Sequence, residues 1–96
     1  MLNYGYDEAA LRISESANEN DVEFRIVLAA DDPSIIAGLK RVRQEFDENR
    51  VYTDVLFYHY PDHEYKIIVR KDYYVDFVLE LMKQRLLQSV EWTADR

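Results

Sequence analysis

Ninety-six residues suffice for one domain with a modest core, because at that size folding buries about 60–70% of the surface the unfolded chain exposes. The composition is 48% apolar and 14% aromatic with two glycines and two prolines, which describes a folded chain and excludes a disordered one. A formal net charge of −7 sets long-range electrostatics against a nucleic-acid partner, and the absence of cysteine excludes disulfides, thiolate nucleophiles and thiolate zinc sites.

The chain reads as a single domain over residues 1–96, with residues 1–8 as a flexible N-terminal segment. That segment has neither a basic stretch nor an apolar one, and no apolar run approaches the about 18 residues a membrane span needs, so a cytoplasmic location without membrane contact is expected. Residues 8–17 support two readings. Asp7 to Arg12 would serve as the first turns of a helix with Ala10, Ile13 and Ala17 on one side, whereas an internal similarity described below requires a strand over Leu11 to Ser16.

From Val22 to Ala29, Val22, Phe24, Ile26 and Leu28 alternate with Glu23 and Arg25, the pattern of a half-buried strand. Asp32-Pro33 then opens a helix, with Asp as N-cap and Pro in the first turn; Ile35, Leu39, Val42 and Phe46 line one face, and the helix should end near Asn49. Val51 to Tyr60 and Glu64 to Lys71 are rich in β-branched and aromatic residues and read as a hairpin. A last helix is expected from Asp72, its N-cap, to Val90, with Val75, Val78, Leu79, Met82, Leu86 and Val90 in one arc.

At a constant offset, Glu23-Phe24-Arg25-Ile26-Val27 falls on Glu64-Tyr65-Lys66-Ile67-Ile68, and Asp31 on Asp72. Each half is then a strand-strand-helix unit. The expected fold is α+β: an antiparallel sheet of three or four strands with two helices on one face, in ββαββα order, the alternative being an N-terminal helix followed by βαββα.

The register of the second hairpin can be argued. A two-residue turn would set Phe57 against Lys66, whereas a three-residue loop, Pro61-Asp62-His63, pairs Phe57 with Ile67, Val55 with Val69, Leu56 with Ile68, Tyr58 with Lys66 and Asp54 with Arg70. That places Val51, Val55, Phe57, Tyr65, Ile67 and Val69 on the core face. Tyr52, Asp54, Leu56, Tyr58, Tyr60, Lys66, Ile68 and Arg70, with Arg25 and Val27, share the other, which two helices on one side would leave open.

Among candidate sites, His59 and His63 flank the hairpin tip and are weak metal candidates, since the loop separates them. The serines lack a surrounding motif and no glycine-rich phosphate loop is present, so no catalytic residue is assigned. Lys40, Arg41 and Arg43 read as the solvated face of a helix. Tyr58, Tyr60, Lys66 and Arg70 form the expected binding face, because a tyrosine ring offers contact area at little entropic cost. Phe77 and Leu81, with Tyr74 and Trp92, make a second arc on the last helix that would serve as an interaction edge unless it packs on Ile36 and Phe46.

The function these features support is a non-catalytic protein-interaction or regulatory domain, with a homodimer as one form of the interaction. An acidic inhibitor or nucleic-acid mimic that binds a basic protein is the alternative, and a small enzyme or metal-binding domain the second. No cofactor is implied.

Overall fold

A computed structural model of the chain describes residues 2–48 and 55–93. In chain order it comprises β1 (Leu2–Gly5), β2 (Leu11–Ala17), β3 (Asp21–Leu28), α1 (Pro33–Glu48), β4 (Val55–Tyr60), β5 (Glu64–Arg70), a 3-10 turn (Lys71–Tyr73), α2 (Tyr74–Lys83) and β6 (Ser89–Trp92). The fold is α+β, as expected: an antiparallel four-stranded sheet in the order β2-β3-β5-β4, and a two-stranded antiparallel ribbon of β1 and β6.

Alternation along the strands builds the core. Leu11 and Ile13 of β2 lie opposite Leu28 and Ile26 of β3; Phe24 and Val22 lie opposite Ile67 and Val69 of β5; Phe57 and Val55 of β4 complete the row. The β4–β5 register is that of the three-residue loop, from Val55 opposite Val69 to Tyr60 opposite Glu64. Val51, Tyr52 and Asp54, and with them the expected Asp54–Arg70 pair and the helix end at Asn49, lie outside the described residues. Residues 11–17 are a strand and not a helix, since pairing with β3 buries Leu11 and Ile13 and satisfies backbone groups in one step.

Both helices pack on the row that contains Phe24 and Ile67. At the start of α1, the Asp32 carboxylate accepts hydrogen bonds from the Ser34 hydroxyl (2.8 Å) and the Ser34 amide (3.0 Å), which hold its pKa below the usual carboxylate range. Gly38, Leu39, Val42 and Phe46 form the buried face of α1. Gly38 is there for close approach: a Cβ at that position would lie 3.2 Å from Leu86 Cδ2.

The last helix is shorter and differently rotated than its periodicity suggests. Asp72 sits inside the 3-10 turn instead of capping, and α2 begins at Tyr74. Its buried face is Tyr74, Phe77, Val78 and Leu81, while Leu79 is 50% exposed. Only one stripe of so short a helix can face inward, and the stripe carrying Phe77 buries more apolar area and meets three aromatic rings. Phe77 lies 4.7 Å from Phe24, 5.9 Å from Phe46 and 6.3 Å from Phe57, ring centre to ring centre.

The helix ends where Arg85 takes a left-handed conformation (φ 65°). The Leu86 N–H donates to the Leu81 carbonyl (2.9 Å) and the Arg85 N–H to the Met82 carbonyl (3.0 Å), a closing pattern that ordinarily employs glycine. The chain then turns away, so Leu86 is buried beyond the helix and Val90 lies on β6.

The segment read as a flexible tail contains a strand. Leu2–Gly5 pair with Ser89–Trp92, and Leu2 is buried. The Tyr6 hydroxyl donates to the Ile13 carbonyl and accepts from the Ile13 N–H, both at 3.2 Å, occupying backbone groups on β2 that the β3 ladder does not use. Each strand of this ribbon is four residues long and its partner is at the far end of the sequence, so neither has a strong local signature.

Two outcomes test this packing by urea denaturation. Phe77→Ala should cost about 3–5 kcal/mol while Leu79→Ala changes stability by no more than about 0.5 kcal/mol; comparable losses would contradict the observed rotation of α2. Arg85→Gly should stabilise by about 1 kcal/mol, raising the melting temperature by about 4–8 °C, because glycine tolerates the left-handed region that arginine occupies at a cost.

Candidate functional site

The face of the sheet turned away from the helices carries the expected binding residues. Leu56, Tyr58 and Tyr60 project from the edge strand β4 at 48%, 43% and 40% exposure, and the two tyrosine rings stack with centres 6.5 Å apart. Lys66 lies directly opposite Tyr58 on β5 and opposite Arg25 on β3. Two cations facing each other would repel, and each is met diagonally by an acid: Arg25 by Glu64 at 3.1 Å and Lys66 by Glu23 at 3.7 Å. Arg70, at the end of β5, lies 3.7 Å from Asp72. The face is therefore an apolar and aromatic strip along one edge beside a centre whose charges offset one another.

The helix-edge reading is corrected. Phe77 and Leu81 are 0% exposed, enclosed between α2, the sheet and Phe46 of α1. The apolar residues that α2 leaves in solvent are Leu79 and Met82, which its periodicity had assigned to the core.

At the hairpin tip the two histidines have separate partners. The His59 ring stacks on Tyr65, with centres 4.3 Å apart and planes 6° from parallel. His63, in a left-handed conformation (φ 61°) beside Asp62 (φ 64°), brings its Nδ1 to 3.1 Å from Asp31, and its carbonyl accepts from the Leu28 amide at 3.0 Å. The tip is thus tied to the segment that leads into α1. Among the described residues no group of three or more His, Cys, Asp or Glu side chains is placed to hold a metal ion.

Between this tip and α1 lies a cleft of about 340 Å³. Ile36 and Leu39 of α1 form one wall, Phe57, Tyr65 and His59 the other, and Lys40, Arg43, His63 and Asp31 contribute charged or ionisable groups. None of the described lining residues is a serine, threonine or cysteine, and the hydroxyls that border the cleft are the phenols of Tyr58 and Tyr65. Lys40 and Arg43 had been read as a solvated helix face; their role at a cavity rim depends on how α1 leans over β4, which no local pattern encodes.

A second polar cluster lies at the other side of the core. Glu15 occupies a core-facing position of β2, opposite Phe24, and its carboxylate accepts hydrogen bonds from the hydroxyls of Tyr4 and Tyr74, the latter at 3.0 Å. Burial, reinforced by that carboxylate, pushes the Tyr74 phenol up to about 12 and raises Tyr4 further. The cluster joins β1, β2 and α2, and both phenols are committed to one acceptor, so it acts as a structural clasp.

The chain matches no known protein family, no curated protein and no solved structure. No described helix is long and apolar enough to cross a membrane.

The clasp sets an alkaline limit. Between the ordinary tyrosine value of 10.0 and about 12, the unfolded chain releases the Tyr74 proton while the folded one retains it, so stability falls as pH rises through that window. The urea midpoint should decline from pH 10 to 12, and Glu15→Gln should flatten the decline by removing the negative charge beside both phenols. An unchanged slope in that variant would show that the clasp does not control it.

Proposed function

We propose that this domain is a non-catalytic protein-interaction or regulatory module whose partner docks on the uncovered face of the four-stranded sheet. The observation that carries the reading is the exposed strip Leu56, Tyr58 and Tyr60 on an edge strand, with Ile68 partly exposed opposite Leu56. Single exposed apolar residues are ordinary, but a row of three large ones along one strand makes a contiguous contact surface. Stacked tyrosines are rigid before a partner arrives, so little side-chain entropy is lost on contact.

The electrostatics of the same face describe the partner. Arg25, Glu64, Lys66 and Glu23 offset one another within the domain, leaving the tyrosine strip as the main source of binding energy. A partner that buries this strip presents an apolar or aromatic surface and binds with weak salt dependence. A second copy of the chain meets that description as well as a different protein does.

The test is affinity capture, with sedimentation of the purified protein, comparing wild type with Tyr58→Ser/Tyr60→Ser at low and high salt. Neither side chain belongs to the buried core, so the variant should retain the wild-type circular dichroism spectrum and lose no more than about 1 kcal/mol of stability. The expected result is an association that survives high salt and disappears in the variant. An association that the variant retains and salt abolishes would instead favour the acidic-inhibitor reading.

A further inference from the structure

The cleft between α1 and the β4–β5 hairpin lies on the helix-covered side of the sheet, and Tyr58 of the tyrosine strip borders it at the β4 edge. Its charges do not resemble those of the whole chain. In a protein of net charge −7, the α1 rim of the cleft carries Lys40 and Arg43, one helical turn apart and on the same side of the helix. Arg43 is shared with Asp47 at 3.5 Å, whereas Lys40 has no carboxylate partner among the described residues. The acid in the cleft, Asp31, is engaged by His63 at 3.1 Å. The α1 rim therefore offers positive charge beside an apolar interior.

The interior has a definite shape preference. Ile36 and Leu39 face the ring of Phe57 and the parallel His59–Tyr65 pair, so one wall is aliphatic and the other aromatic. A volume of about 340 Å³ is within the range of small-ligand cavities. A planar ring between these walls would meet apolar or aromatic side chains on both faces, and an anionic substituent on it would be drawn to Lys40 and Arg43 at the rim.

We propose that this cleft binds a small planar ring compound bearing a carboxylate or a phosphate, the ring held between Leu39 and the aromatic wall and the anion held by Lys40 and Arg43. The charge-assisted contact supplies selectivity, because the neutral counterpart of the ligand leaves the two cations unused.

Titration of isotope-labelled protein with 2-naphthoate, 2-naphthyl phosphate, 2-naphthamide and inorganic phosphate, followed by NMR, tests this. At least one of the two naphthyl anions should shift the Ile36 and Leu39 methyls and the Lys40 amide, and bind at least about tenfold more tightly than the amide and than inorganic phosphate. Comparing the naphthyl anions identifies the preferred anionic group. Lys40→Gln/Arg43→Gln should unfold at the wild-type temperature and lose at least about tenfold in affinity for the preferred anion while binding the amide unchanged. The proposal is overturned by equal affinity for amide and anions, by wild-type affinity in the variant, by shifts confined to Leu56 and Tyr60 on the other face, or by no binding at millimolar concentration.

Discussion

The contact on which the rest of this structure depends is the insertion of Phe77 among Phe24, Phe46 and Phe57. One side chain of α2 thereby touches a central strand, an edge strand and the other helix. Its burial sets the rotation of α2, and that rotation turns Tyr74 toward Glu15 and leaves Leu79 and Met82 in solvent. Aromatic rings in edge-tilted contact contribute beyond their buried area, so a cluster centred on one ring fixes orientation as well as adding stability. The close passage of Leu86 past Gly38 then sets how near the end of α2 lies to α1.

The sheet has its own organising feature. Its two central strands, β3 and β5, are the segments with similar sequence, and their register is symmetric: Phe24 faces Ile67, and Ile26 faces Tyr65. The same symmetry places Arg25 against Lys66 on the other face, a repulsive pair that Glu64 and Glu23 relieve from opposite strands. The centre of the open face is thereby occupied by groups engaged with one another. The exposed apolar area lies at its edge, on β4, where Leu56, Tyr58 and Tyr60 have no ion pair to maintain. In this way the pairing that stabilises the sheet also decides which part of its open face remains apolar and unengaged.

Cover over the core face is shared unequally. The β1–β6 ribbon and the Tyr4–Glu15–Tyr74 clasp tie down the β2 side, where Tyr6 also engages the edge of the strand. On the β4 side α1 covers the sheet incompletely, and the cleft beneath Lys40 and Arg43 is what remains. The hairpin tip that borders it is held by the His63–Asp31 contact and by the Leu28 amide. The tyrosine strip and the cleft meet along one strand, β4, at the edge of the sheet opposite the clasp.

Much of the fold was legible locally. Strict alternation from Val22 to Leu28 gave the faces of β3, Asp32-Pro33 marked the start of α1, and the pairing of apolar with apolar residues across Pro61-Asp62-His63 selected the correct register. These features are determined by the sequence because each depends on residues near one another in the chain, through side-chain period, capping or turn length. The tyrosine strip followed from the same alternation. Tertiary structure alone decided the rest. Leu2–Gly5 became a strand because Ser89–Trp92 was brought beside it; the carboxylate of Glu15 was accommodated on a core face because two phenols from distant elements converged on it. On α2 two apolar arcs were both compatible with a helix, and the aromatic rings contributed by β3, β4 and α1 chose between them. The physical reason is the same in each case: the deciding energy comes from contacts between residues far apart in sequence, whose geometry exists only once the sheet and helices have packed.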